Sequence, residues 1–140
     1  VVLDIETTGL HAGKDKIIEI AAVKIGMDDK IVDEFHTMVN PGMRIPPETI
    51  KVHNITDDMV ADAPSIAEVM PKLAEFCQGH VVCAHNAPFD IGFLRIDAEK
   101  AGVKLPDMVL DTLPLARAVM PELKRHKLDM ICKKSGGEGP

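Results

Sequence analysis

The chain has no tryptophan and no tyrosine, and its aromatic rings other than histidine are Phe35, Phe76, Phe89 and Phe93. Stacking of many bases on aromatic platforms therefore has few residues to work with. Basic side chains are in the minority, 16 against 22 acidic, giving a net charge of −6 over 140 residues. This balance argues against a protein that coats nucleic acid by bulk electrostatics. It leaves open a grip on a strand end through bound cations, and a cluster of cation-binding acids would itself bias the balance this way. The cysteines Cys77, Cys83 and Cys132 have no paired or ligand spacing. No disulfide framework or zinc site is expected, and a reducing cytoplasm is the default setting. Cys83 lies in an apolar run and reads as core packing. No apolar run is long enough to cross a bilayer and no signal segment leads the chain, so no membrane partner is expected.

A hydrophobic content of 46% supports a globular fold, and the length fits one domain with one core. There is no internal repeat and no linker. The first strand runs to Glu6. Lys16 to Ile25 is a second strand, nearly continuous in apolar residues apart from Glu19 and Lys24. Lys30 to Val39 is a third, in which Val32, Glu34 and His36 alternate with Ile31, Asp33 and Phe35. The turn at Gly26 to Asp29 and the short connections predict an antiparallel meander. Pro46 to Ile50 opens a short helix. Ser65 and Glu68 form a capping box ahead of the apolar stripe Ile66, Val69, Met70, Leu73 and Phe76. A strand at His80 to Ala84, a helix from Phe89 to Ala101 closed by Gly102, and a strand at Met108 to Leu110 follow. Helical pieces are expected at Asp111 to Met120 and Lys124 to Lys134. This order predicts an α/β protein with a mixed sheet flanked by helices.

Two places carry chemistry. Val1-Val2-Leu3-Asp4-Ile5-Glu6 puts Val2, Asp4 and Glu6 on one face of an apolar strand and Val1, Leu3 and Ile5 on the other. Two like charges side by side on a central strand are costly unless something positive neutralises them. A divalent cation with hard oxygen ligands suits the pair; an edge strand with a wet face is the other reading. The second place is His85-Asn86-Ala87-Pro88-Phe89-Asp90, between the apolar run His80 to Ala84 and an amphipathic helix. Asp90 alone reads as a first-turn helix residue. Taken with Asp4 and Glu6, it falls where α/β folds collect their sites, at the carboxyl ends of adjacent strands.

DIETTGL at Asp4 to Leu10 and HNAPFD at His85 to Asp90 resemble the first two motifs of the DEDDh 3′–5′ exonucleases. The likeness is greatest to the proofreading exonucleases of bacterial DNA polymerase III, the epsilon subunit and the exonuclease domain of PolC-type polymerases. It extends through Ile17 to Val23, Pro46 to Glu48, Val52 to Asp57 and Asp111 to Arg117, nearly the whole chain. It implies a ribonuclease H-like fold with a five-stranded mixed sheet, and metal-dependent removal of nucleotides from single-stranded or mispaired DNA 3′ ends. RNA trimming and an inactive module that binds nucleic-acid ends or a polymerase are the competing readings. The implied partners are a DNA 3′ end, or RNA, and a replicative polymerase. The implied cofactors are two Mg²⁺ or Mn²⁺ ions. Asp4 would bridge both, Glu6 would bind the nucleophile-side ion and Asp90 the other.

By the same resemblance Thr7, Thr8, Gly9 and Leu10 border the terminal nucleotide, with Gly9 allowing close backbone approach and Leu10 wedging against the base. His85 and Asn86 contact substrate or tie their loop, and Phe89 stacks or packs. Glu19 has no partner in view and reads as structural, His53 as a solvated loop residue, Asp107 and Asp111 as turn and cap residues, and the basic run 124–127 as a solvated helix face. The family's third motif, a His followed by an Asp, has no match. The resemblance puts it past Pro140, so the chain reads as one exonuclease domain incomplete at both ends, with its C-terminal part missing and little metal binding or activity of its own.

Overall fold

The computed structural model describes residues 1–123 together with residues 125 and 127. Five strands form one mixed sheet in the order β3-β2-β1-β4-β5. β1 (Val2–Thr7), β2 (Ile17–Ile25) and β3 (Ile31–Met38) are the antiparallel meander. β4 (Val82–Ala84) and β5 (Val109–Asp111) run parallel to β1 on its other side. β1 is therefore central, and the wet-edge reading of its two acids falls away. Around the sheet lie α1 (Pro47–His53), α2 (Asp57–Val60), α3 (Ile66–Cys77), α4 (Ala87–Ala101) and α5 (Thr112–Val119).

The two faces of β1 separate cleanly. Leu3 and Ile5 are buried, and they join Ile20 and Ala22 of β2 against Val69, Met70, Leu73 and Cys77 of α3 and Ile91, Leu94 and Ala98 of α4. Side-chain alternation and register place Val2, Asp4 and Glu6 on the opposite face with Val23, Ala21 and Glu19 of β2. Through β2 this face continues to Glu34, His36 and Met38 of β3. α5 borders it and leaves a cavity of about 740 Å³, lined among others by Val2, Asp4, Ala21, His36, Leu115 and Val119. A second small cluster, Ile18, Ile45, Ile55 and Val60, anchors the α1–α2 segment beside β2.

The helices start where local chemistry allows. Ser65 accepts from the Glu68 amide at 3.3 Å and Glu68 returns a carboxylate to the Ser65 amide at 3.1 Å, the reciprocal capping box. Gly102 ends α4 at φ 69°, its N–H donating to the Ala98 and Glu99 carbonyls. Several elements differ from the sequence-based expectation. α4 begins at Ala87 rather than Phe89, because Pro88 sits in the first turn, where its missing N–H costs nothing. β4 is three residues long rather than five. α2, a single turn capped by Thr56, was not expected at all, being too short for a periodic pattern. Cys83 is half-buried, on the open face beside Val2, whereas Cys77 is the fully buried cysteine. The helical piece expected at 124–134 lies outside the described residues, apart from 125 and 127.

Leu73 is fully buried at the junction of α3, α4 and the sheet. Leu73→Ala is expected to cost about 2–5 kcal/mol, read as a lower urea midpoint with an unchanged m-value.

Candidate active site

The acids converge because two chain reversals are fixed tightly. At the end of β4 the chain turns through Asn86, held at φ 60°, a left-handed conformation that asparagine tolerates better than most residues. Its amide donates to Asp111 Oδ1 at 2.9 Å, and the same oxygen accepts from Leu113 N at 3.0 Å as the cap of α5. Asp111 is thus the expected helix cap and, in addition, the clamp on the 85–90 turn. His85 Nδ1 lies 3.0 Å from Thr112 Oγ1, which ties the same turn to α5. Asp90 then falls one turn into α4, only 4% exposed, beyond the capping position and turned inward toward β1.

Burial takes water from these carboxyls unequally, most from Asp90. Burial pushes Asp90 up to about 7; Asp4, Glu6 and Asp111 add to the push, and the Ile5 amide works against it. Glu6 is also raised to about 7, by burial first and then by Asp4 and Glu19. Asp4 keeps substantial exposure, yet the surrounding protein raises it too, with Glu19 adding and the Ile5 amide and His85 easing the shift. One oxygen, Asp90 Oδ2, is buried with no hydrogen-bond partner. A buried acceptor left unmatched in this way is destabilising unless something satisfies it.

The loop after β1 is internally braced. Thr7 and Thr8 are buried. Thr7 Oγ1 donates to the Gly9 carbonyl at 2.6 Å, and Thr8 Oγ1 accepts from Lys16 N at 3.0 Å. The Thr8 hydroxyl itself donates to Met43 Sδ at 3.5 Å, tying the loop to the segment ahead of α1. The space that a Cβ on Gly9 would fill is taken by the Asp15 carboxylate, which accepts from His11 N at 3.0 Å. A larger residue there would have to displace the Asp15 side chain, a contact that the sequence did not disclose. Leu10 stands out from the loop, 78% exposed.

The remaining candidates divide. Phe89 is half-buried and packs on Phe93 with ring centroids 5.1 Å apart, while the Asn86 side chain is exposed and makes no cap bond. His53 is not a solvated loop residue. It ends α1, its Nδ1 accepts from Ile55 N at 3.0 Å, and its Nε2 is buried near Thr7 without a formed hydrogen bond. Burial lowers its pKa. Glu19 does have a partner: its Oε2 lies 2.9 Å from His36 Nε2. Sequence reasoning missed both because the cross-strand register and the end of α1 set these neighbours, and neither is written in local spacing. Asp107 sits in a bend and pairs loosely with Lys104 at 3.9 Å, both side chains exposed.

The chain matches the RNase_T family, described as Exonuclease, across residues 1–140, and it belongs to that family. It is 46% identical over 135 residues to a DNA polymerase III PolC-type of Bacillus cereus, which covers 96% of this chain and 9% of that protein. It is 45% identical over 138 residues to a DNA polymerase III subunit epsilon-like protein of Rhodobacter capsulatus, covering 97% of the chain and 20% of that protein. The chain thus spans a small part of the length of these relatives. Among solved structures, exonuclease X in complex with 5′ overhanging duplex DNA matches with a TM-score of 0.71 at 33% identity, over 96% of this chain and 71% of that one. E. coli exonuclease I with a dA16 oligonucleotide matches with a TM-score of 0.85 at 17% identity, over 99% of this chain and 36% of that one, a likeness of fold. The family and the ribonuclease H-like sheet are those to which the two motifs pointed.

Exonucleases of this family generally use divalent metal ions. Among the described residues, no three His, Cys, Asp or Glu side chains are grouped so as to cage an ion by themselves. The donor set nonetheless fits a hard cation that keeps part of its water shell: carboxylate oxygens, mutual repulsion, and the orphaned Asp90 Oδ2. In metal-free buffer the linkage sign follows from the raised values. Asp90 and Glu6 bind protons in the folded state that the unfolded chain has already released above its ordinary carboxyl pKa. Stability is therefore greatest below about pH 4 to 5 for these groups and is lost as pH rises through about 7. Asp90→Asn, which keeps the shape and removes the charge, is expected to flatten this slope and to raise metal-free stability at pH 8 by about 1–2 kcal/mol. Urea melts from pH 5 to 8 in the presence of chelator check this.

Proposed function

We propose that this chain is the proofreading 3′–5′ exonuclease domain of a replicative DNA polymerase, working in the cytoplasm on the 3′ end of single-stranded or mispaired DNA. The observation that carries the reading is the convergence of Asp4 and Asp90 from two chain segments on one buried, charge-repelling site beside an oxygen with no partner. Membership of the exonuclease family and likeness to polymerase III chains support it. No helix in the described residues is long and apolar enough to cross a membrane.

Asp4, Glu6 and Asp90 would hold two divalent ions, Mg²⁺ or Mn²⁺. Such ions, when bound, activate water as a nucleophile and stabilise the leaving oxygen of a phosphodiester. The chain's own residues set the stage for this chemistry. β1 presents Asp4 and Glu6 from a rigid central position, and Asp111 and Thr112 fix the turn that delivers Asp90. The braced loop holds Gly9 and Leu10 at the carboxyl end of β1, where Leu10 is free to press on a terminal base. The largely apolar cavity over the sheet borders the site at Asp4 and His85.

The test is shortening of a 5′-labelled single-stranded DNA from its 3′ end, with Mn²⁺ and with chelator, beside an RNA of the same sequence. Metal-dependent shortening of DNA by the full-length protein is expected, with mispaired ends trimmed faster than paired ones. Preference for the RNA would instead assign a trimming exoribonuclease. Asp4→Ala and Asp90→Ala should each lower turnover about 10³-fold or more, the loss of several kcal/mol of metal-borne stabilisation, with the circular dichroism spectrum unchanged. A variant cleaving at the parental rate would remove its residue from the site.

A further inference from the structure

Glu19 of β2 lies directly across the ladder from Glu6 of β1, on the face that carries Asp4. Like charges placed directly opposite on neighbouring strands destabilise a sheet, so this pairing needs a reason. The Glu19 carboxylate is not loose: His36, on the next strand, holds it by a 2.9 Å contact between Nε2 and Oε2. The pair also differs in exposure, with the His36 side chain 60% exposed and that of Glu19 29% exposed. The histidine thus reaches from the wetter side and fixes the acid at the drier one. From there Glu19 acts electrostatically on Asp4, on Glu6 and on the buried ring of His53.

We propose that Glu19, oriented by His36, is a positioning residue of the divalent-ion site: it deepens the negative field between β1 and β2 and keeps the Glu6 carboxylate directed at the ion, without ligating the ion itself. This rests on the assignment of Asp4, Glu6 and Asp90 to that site. Glu19 stands off the ligand set because His36 already engages its Oε2 at 2.9 Å. His36 serves as its fixed anchor in the way a second group commonly orients a carboxylate near a metal. Orientation by a side chain two strands from the reaction is a property of register, which makes β3 part of the functional assembly rather than an outer cover.

The proposal makes two effects move in opposite directions. In the full-length protein at pH 8, Glu19→Gln should weaken Mn²⁺ binding about tenfold by titration calorimetry, while raising the metal-free melting temperature through relief of the Glu6–Glu19 repulsion. A merely structural Glu19 would lower the melting temperature and leave the Mn²⁺ affinity of the folded chain alone. His36→Gln, which can still donate to the carboxylate, should retain most of the affinity, and His36→Ala should lose it as Glu19→Gln does. Asp4→Asn is run alongside. If the parent binds Mn²⁺ and Asp4→Asn does not, unchanged binding in Glu19→Gln overturns this role for Glu19 alone. If the parent itself fails to bind Mn²⁺, the ion site and the role of Glu19 fall together.

Discussion

Everything in this protein is arranged around a repulsion. Asp4 and Glu6 stand on one side of the central strand, Asp90 comes up beside them from α4, and burial, deepest at Asp90, removes part of the water that would ordinarily separate their charges. The same strand has to be apolar on its other side, where Leu3 and Ile5 anchor the packing of α3 and α4. A six-residue segment thus satisfies two opposed demands by alternation alone. The sheet supplies the rigidity that keeps three like charges from simply moving apart, which a loop would not.

The second demand is delivery of Asp90. The turn between β4 and α4 has no slack: a left-handed asparagine, a proline in the first helical turn, and hydrogen bonds to two consecutive residues, Asp111 and Thr112. Because β5 ends at Asp111, the edge of the parallel half of the sheet sets the position of a residue on a different helix.

What the sequence made legible follows the range of the interactions involved. The alternation in β1, the capping box at Ser65 and the apolar stripe of α3 are local patterns, and the structure has them as read. The family motifs located Asp4, Glu6 and Asp90, and the fold brings Asp4 and Asp90 together although 86 positions separate them in the numbering. What was not legible depends on register or on packing between distant segments. Glu19 looked unpaired because His36 faces it only once β2 and β3 align Ala21 with His36. The Asp15 carboxylate beside Gly9 comes from a segment that no local pattern at Gly9 announces. His53 looked wet because nothing nearby in sequence announces that its Nε2 is enclosed.

The parallel pairing of β1 with β4 is joined by Val1 N donating to the Val81 carbonyl across 80 residues, and by Cys83 N donating to the Val1 carbonyl at 2.7 Å. The meander of β1 to β3 needs only short chain closures, whereas this pairing needs a long one, with its larger loss of chain entropy. A chain that has formed the meander alone already displays Asp4 and Glu6 but has no Asp90 beside them. Completeness of the acid set therefore coincides with completion of the topology.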